Sequence, residues 1–193
     1  AVMIYGVAPE AVTAEMRRTA KTINFGVIYG MSAFRLAQDL GISRTQASLF
    51  IDNYFKMYAK INSFIHNTVI NAEQSGYVET IFGRKRPILN INSKNKIEKS
   101  AAERIAVNTP VQGSAADIVK KAMLNVVSGL RASKSEAHLL LQVHDELIFE
   151  CPDKPEIIEK TINLIKERME TAVTLAVPLR VSIEYGKCWG DFH

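Results

Sequence analysis

Residues 17–30 read RRTAKTINFGVIYG, and this stretch predicts a helix with chemistry on one side. Arg17, Lys21, Phe25 and Tyr29 recur every four residues, so they share one face. Two cations followed by two aromatic rings match the polarity of a nucleoside triphosphate, because Arg and Lys bind phosphate and aromatic rings stack on bases. The same spacing is also typical of an ordinary amphipathic helix with buried aromatics and solvated cations. Spacing alone leaves both interpretations open.

The residues that flank this stretch predict where the helix begins and ends. The Thr13 hydroxyl is a suitable N-cap. Gly26 and Gly30 weaken the helix near its end, so we expect it to stop by Tyr29. The candidate nucleotide-binding helix therefore covers about residues 13–29.

A second polar cluster lies in residues 142–147, QVHDEL, between the apolar segments 138–143 and 147–150. Two short apolar strands around a polar break predict a β-hairpin that presents Asp145 and Glu146 at its tip. Mg²⁺ prefers carboxylate oxygens that are held rigidly, and a hairpin tip can present them in that way. An ordinary polar turn is the alternative, because Asp is common in turns.

The remaining patterns indicate an α+β fold. Helices are expected over residues 43–58, 61–74, 96–108, 114–130 and 155–175, and strands over 77–82 and 179–185. Ser43 and Gln46 resemble a capping box, as do Ser114 and Asp117. Pro110 is expected to kink or end the helix before it.

The composition is that of an ordinary globular protein: 47% of the 193 residues are hydrophobic, and the net charge is +4. Cys151 and Cys188 lack the spacing of a zinc site, which favours a reducing compartment. No apolar run approaches the roughly 18–20 residues that span a bilayer. The first residue is Ala1 and no signal peptide is recognisable, so we expect a fragment of a longer protein.

The run at 17–30 resembles the fingers-helix motif of family A DNA polymerases, which have bacterial DNA polymerase I-like members. That motif has Arg, three residues, Lys, then an aromatic-Gly and a Tyr-Gly. The resemblance implies that Arg17 and Lys21 bind the incoming deoxynucleoside triphosphate (dNTP), with Lys21 also taking part in catalysis. It implies that Phe25 packs against the sugar and base, and that Tyr29 lies at the template position.

The His-Asp-Glu sequence between apolar strands resembles the palm hairpin of the same family. The resemblance implies that Asp145 is one of two aspartates that hold two catalytic Mg²⁺ ions, with Glu146 as an accessory catalytic carboxylate. It also implies that His144 contacts the primer strand. In this family the other metal-binding aspartate precedes the fingers helix, but none of the 16 residues before Arg17 is an aspartate.

The link between the two motifs also resembles the family. By this resemblance Arg104, Asn108 and Gln112 contact template or primer DNA. The basic triplet that contains Arg84 and Arg86 is expected to contact the template backbone, because cations placed on phosphates position a nucleic acid.

The resemblance extends to the closing residues Gly186–Trp189 and His193. It implies an α+β architecture in two portions: a helical fingers portion over 1–112, then part of a polymerase palm over 113–193 with a small antiparallel sheet and packed helices. The implied activity is DNA-directed DNA synthesis in replication or repair, by a full-length enzyme that is monomeric and cytoplasmic and has no membrane contact. The chain alone is expected to be inactive.

Two other functions compete with DNA synthesis. A binding module without chemistry would not need a triphosphate face together with a metal carboxylate. A phosphohydrolase that used His144 and Asp145 would need further clustered ligands, and the other three of the four histidines do not provide them.

Overall fold

The computed structural model describes residues 1–192, without the side chains of Met3 and Phe192, so the closing His193 lies outside the described residues. The chain divides into two compact units, Ala1–Pro110 and the residues from Val111 onward. The elements in chain order are α1 (Val2–Tyr5), α2 (Ala14–Ile28), α3 (Ala33–Leu40), α4 (Arg44–Met57), α5 (Ala59–Ser75), β1 (Tyr77–Glu79), β2 (Lys85–Pro87), α6 (Lys96–Ala132), β3 (His138–Val143), β4 (Glu146–Glu150) and α7 (Pro155–Glu170), with short 3₁₀ turns at Pro9–Ala11 and Trp189–Phe192. The predicted α+β fold class is confirmed: the described part is mostly helical, with two small antiparallel sheets.

Helix α2 forms as the sequence predicts. The Thr13 side chain accepts a hydrogen bond from the backbone N–H of Met16, which satisfies one of the unpaired donors at the helix N-terminus. The helix ends at Ile28, and Gly30 follows with a φ of +83°, a conformation that glycine adopts without steric cost. The buried residues of α2 are Ala20, Ile23 and Val27.

Helices α3 and α4 support α2 through one core cluster. Helix α4 begins with the predicted capping box, in which Ser43 and Gln46 each bond to the other's backbone N–H. Helix α3 was not expected from the sequence pattern, although Ser32 caps its first turn and Gly41 ends it in the left-handed conformation. The core cluster of this region joins Ile23, Val27, Leu36, Ala47 and Tyr54.

Helix α5 and the β1–β2 hairpin pack on the start of α6. A second buried cluster consists of Ala72, Val78, Ile88, Ile91, Ala102 and Ala106. Strands β1 and β2 pair antiparallel, with Val78 opposite Arg86. A salt bridge of 2.7 Å between Lys99 and Glu73 ties α5 to the first turn of α6.

Helix α6 runs without interruption through Pro110, so the prediction of two helices separated at this proline is wrong. Ser114 and Asp117 lie inside this helix, so the predicted capping box at the start of a second helix is wrong as well. Proline has no N–H, and an interior proline costs a helix about 3 kcal/mol. Burial of α6 side chains in each unit, such as Ala106 in the first and Val126 in the second, offsets that cost.

The unit that begins at Val111 contains the second hairpin and α7. Strands β3 and β4 pair as predicted, and Leu140 is the extra residue of a bulge between the pairs Leu139–Phe149 and Leu141–Ile148. The predicted strand over 179–185 is wrong. Its Val181 N–H donates to the Glu170 carboxylate rather than to a neighbouring strand.

The longest helix is not a membrane span. Among the described residues, no helix is long and apolar enough to cross a bilayer.

Candidate active site

The exposed face of α2, in the unit Ala1–Pro110, is one candidate site. Residues four apart lie about 40° from each other around a helix, so Arg17, Lys21 and Phe25 follow one another along one side. All three are exposed, while Ile23 and Val27 are buried on the other side. Phe25 keeps 46% of its surface exposed, which contradicts the alternative that this aromatic side chain belongs to the core.

The aromatic end of this face is preformed. The rings of Phe25 and Tyr29 are stacked, with centroids 6.4 Å apart and planes inclined by 14°. Tyr29 is half-buried at the C-cap of α2, and its N–H donates to the Phe25 carbonyl. The stacked pair therefore lies at the end of the helix that is farther from Arg17.

Arg104 reaches the same end of α2 from helix α6. A Cβ atom built on Gly30 would lie 3.2 Å from Cγ of Arg104, so this arginine stem packs against the glycine backbone. Any side chain at position 30 would meet Arg104 and would also be strained by the positive φ. Gly30 is thus needed for the close approach of Arg104 to the Tyr29 end of the helix.

Asn108 and Gln112 lie farther along α6. The Oδ1 atom of Asn108 is buried and has no hydrogen-bond partner among the described residues. A buried acceptor without a hydrogen-bond partner raises the free energy of the folded state. A side chain that takes its partner from a bound ligand shows this feature when the ligand is absent. Gln112 is exposed and belongs to the second unit.

The basic triplet at the β1–β2 hairpin is partly engaged within the protein. Nη1 of Arg86 donates to the Thr109 hydroxyl over 3.1 Å, and that hydroxyl donates to the Ile105 carbonyl over 2.6 Å. Lys85 donates to the Tyr77 hydroxyl over 3.1 Å, a bond that raises the pKa of Lys85, with a smaller contribution from Glu79. Arg86 therefore holds β2 against α6, a role that the sequence pattern did not indicate.

The tip of the β3–β4 hairpin, in the unit that begins at Val111, is a separate candidate site. Val143 pairs with Glu146, so the turn consists of His144 and Asp145 alone. His144 adopts a φ of 54°, and its carbonyl accepts a hydrogen bond of 3.1 Å from Gln142 Nε2. Asp145 is exposed at this fixed turn. Glu146 was predicted at the tip with Asp145, and the structure instead places it as the first residue of β4.

The residues at this tip fit one part of a metal site. The described residues contain no cluster of three or more His, Cys, Asp and Glu side chains that would enclose an ion by itself. Mg²⁺ usually keeps water ligands and binds through one or two carboxylates plus substrate phosphates, so the exposed Asp145 carboxylate suits it as a single protein ligand. A pair of metal ions needs more carboxylates than this hairpin offers.

One contact of helix α2 could not be predicted from the spacing of residues within a helix. The hydroxyl of Tyr54 on α4 donates to Oδ1 of Asn24 on α2 over 2.7 Å. The two residues are 30 positions apart, so no helical periodicity could have joined them.

The comparisons with known proteins agree over nearly the whole chain. Residues 1–191 match the model for "DNA polymerase family A". The chain is 50% identical over 190 residues to a DNA polymerase I of Borreliella burgdorferi, which covers 98% of this chain and 21% of that protein. It is 48% identical over 186 residues to a thermostable DNA polymerase I of Thermus thermophilus, with coverage of 96% and 22%.

A solved structure agrees with these sequence matches. The POL domain of Pol1 from M. smegmatis, in complex with DNA primer-template and dNTP, superposes with a TM-score of 0.90 at 39% identity. The match covers 97% of this chain and 33% of that one. The chain spans about a fifth of the length of the curated relatives that it matches.

Proposed function

The chain belongs to DNA polymerase family A, and from this premise we propose that its parent protein is a DNA-directed DNA polymerase that adds deoxynucleotides to a primer 3′-hydroxyl. The observation that carries the proposal is the α2 face, where two cations and Phe25 are exposed opposite a buried side and Phe25 stacks on the half-buried Tyr29. Such a face suits the polymerisation of deoxynucleotides in replication or repair, because the substrate has a polyphosphate at one end and a base at the other.

Arg17 and Lys21 are the proposed phosphate ligands. Arginine offers several N–H donors in a planar fork, and lysine offers a compact charge that suits the leaving pyrophosphate. Phe25 then packs on the sugar and base, while Tyr29 closes the template side of the stacked surface. Stacking of a base on an aromatic side chain is worth about 1–3 kcal/mol.

Asp145 is the proposed metal ligand of this chain. Bound Mg²⁺ would activate the primer 3′-hydroxyl and stabilise the leaving pyrophosphate, as two-metal sites do. The two-residue turn that Asp145 forms with His144 presents this carboxylate to solvent between the paired ends of β3 and β4. Glu146, on the adjacent strand position, is proposed as an accessory carboxylate.

The DNA strands are the proposed partners of the α6 residues and of His144. The M. smegmatis POL domain is in complex with DNA primer-template, which supports this assignment. Arg104, beside the Tyr29 end of α2, suits a template contact, and Asn108 offers an unsatisfied acceptor. Gln112 and Arg84 are further proposed DNA contacts. Among the proposed DNA contacts, Arg86 has the least structural support, because its guanidinium already donates a hydrogen bond to Thr109.

The isolated 193-residue polypeptide is proposed to be inactive. In this sequence the metal-binding motif supplies one aspartate, and none of the 16 residues before Arg17 is another. A single carboxylate does not hold two ions, so the missing ligands are assigned to the rest of the parent protein. A monomeric, cytosolic parent without membrane contact completes the proposal.

Primer extension tests these statements. The purified 193-residue chain and its parent protein are each mixed with a labelled primer–template, the four deoxynucleotides and Mg²⁺. The parent is expected to extend the primer and the short chain is not. Extension by the short chain would contradict the incomplete metal site, and failure of the parent would contradict the polymerase function.

A further inference from the structure

Helix α2 is held on α4 by a part-buried hydrogen bond, from buried Tyr54 to exposed Asn24, as well as by apolar contacts. Tyr54, with 6% of its surface exposed, donates its phenol proton to Oδ1 of Asn24 over 2.7 Å. Asn24 lies on α2 between Lys21 and Phe25 in sequence. The bond therefore reaches α2 in the same turn that carries the proposed substrate ligands.

The apolar contacts set which side of α2 faces the core, but they fix the rotation of the helix about its axis less sharply than a directional contact does. Ile23 and Val27 pack in the cluster that contains Tyr54, and the free energy of such contacts depends on buried area rather than on direction. A hydrogen bond does depend on direction, since it weakens as its angle departs from linear. The Tyr54–Asn24 bond is thus suited to fix which way Arg17 and Lys21 point.

The environment of Tyr54 keeps its hydroxyl in one place. Its ring lies 5.6 Å from the Phe55 ring in an edge-on arrangement and 4.8 Å from the Tyr58 ring. A phenol of ordinary pKa is already a proton donor at neutral pH, and burial raises the pKa of Tyr54 further, with Tyr58 adding to that rise. The packed ring of Tyr54 therefore carries a protonated donor.

We propose that Tyr54 and Asn24 are positioning residues for the triphosphate-binding helix: Tyr54 acts through Asn24 to hold the α2 face in the orientation that binds the nucleotide. This proposal rests on the proposed function of that face. Neither side chain is assigned a contact with substrate.

The test is a kinetic comparison in the parent polymerase. Tyr54→Phe removes the hydroxyl and retains the ring, so the core stays filled. The KM for the incoming deoxynucleotide is expected to rise about fivefold, the factor that corresponds to one lost hydrogen bond of about 1 kcal/mol. The kcat is expected to stay within about twofold, because chemistry proceeds normally once the nucleotide is bound. A purely structural role would instead reduce the active fraction, and with it kcat.

Matched variants show whether the Tyr54–Asn24 hydrogen bond itself is responsible for the rise in KM. Tyr58→Phe removes a neighbouring hydroxyl of a tyrosine that is 41% exposed, and it is expected to leave KM unchanged. Asn24→Ala should raise KM as Tyr54→Phe does, and the double variant should be no worse than either single one. Full additivity of the two changes, or an equal effect of Tyr58→Phe, would overturn the proposal.

A second measurement does not depend on catalysis. In Tyr54→Phe, the backbone amides of α2 are expected to exchange hydrogen faster, while those of α7 in the second unit serve as an unchanged reference. If the parent lacks polymerase activity, the proposed function fails and this measurement still decides the positioning role. Unchanged exchange in α2 would contradict that role.

Discussion

At the scale of single residues, two neighbouring arginines of α2 have different proposed roles. Arg17 and Arg18 are adjacent in sequence, and both are exposed. Successive helical residues are rotated by about 100°, so the two side chains leave the helix in different directions. Arg17 has the spacing to Lys21 that the family motif requires. Of the two arginines, we therefore assign the phosphate contact to Arg17 and not to Arg18.

The two arginines allow a paired test in the parent polymerase. Arg17→Ala is expected to raise the KM for the incoming deoxynucleotide at least about tenfold, because a charged hydrogen bond contributes about 1.5–3 kcal/mol. Arg18→Ala is expected to change KM less than about threefold. Steady-state kinetics on one primer–template measures both, and a larger effect at Arg18 would reverse the assignment.

Phe25 carries a prediction about the sugar of the substrate. A hydroxyl added by Phe25→Tyr would lie where the ring is proposed to meet the sugar, and it would offer a hydrogen bond in place of the missing 3′-hydroxyl of a dideoxynucleotide. The ratio of dideoxy to deoxy incorporation is expected to rise about tenfold or more. Phe64→Tyr, at a phenylalanine on α5 that is 40% exposed, is the control. Equal ratios in the two variants would place Phe25 away from the sugar.

Local spacing predicted the shared face of some of these residues and could not predict the contacts of others. Arg17, Lys21 and Phe25 were expected on one helix face because residues four apart share it, while their proposed role in nucleotide binding came from the resemblance to the family motif. The Tyr54–Asn24 bond joins residues 30 apart, and the Arg86–Thr109 bond joins residues 23 apart. Such contacts depend on how helices pack, which no periodicity within one helix encodes.

At the scale of elements, the cap of α4 carries a stability prediction. Ser43→Ala removes the side-chain acceptor for the Gln46 N–H and retains the backbone N–H that donates to the Gln46 side chain, so the free energy of unfolding is expected to fall by about 1 kcal/mol. Ser48→Ala, at an exposed position inside the same helix, is the control and is expected to be neutral or slightly stabilising. Urea unfolding of the purified chain measures the difference, and equal midpoints for the two variants would show that the cap contributes nothing.

Element boundaries were predictable where a cap or a turn residue marked them. Thr13 and Ser43 mark the start of their helices as expected. Pro110 led to the wrong prediction of a helix boundary, because burial of α6 side chains offsets the cost of an interior proline and the helix continues through it. The alternating pattern over 179–185 misled as well, since alternation predicts a strand only where a partner strand is available to pair with it.

At the scale of the whole molecule, the two units carry different parts of one proposed activity. The first unit contains the α2 face and Arg104, and the second contains the Asp145 turn. The chain spans about a fifth of its curated relatives, so the remaining metal ligands are proposed to come from the rest of the parent protein.

The most direct measurement is primer extension by the parent polymerase with Asp145→Asn, compared with Asp153→Asn at another exposed aspartate after β4. Loss of a metal ligand removes several kcal/mol of transition-state stabilisation, so Asp145→Asn is expected to slow extension at least about a thousandfold. Asp153→Asn is expected to extend the primer at the wild-type rate. Extension by Asp145→Asn within about threefold of wild type would contradict the central claim that this chain supplies a catalytic metal ligand.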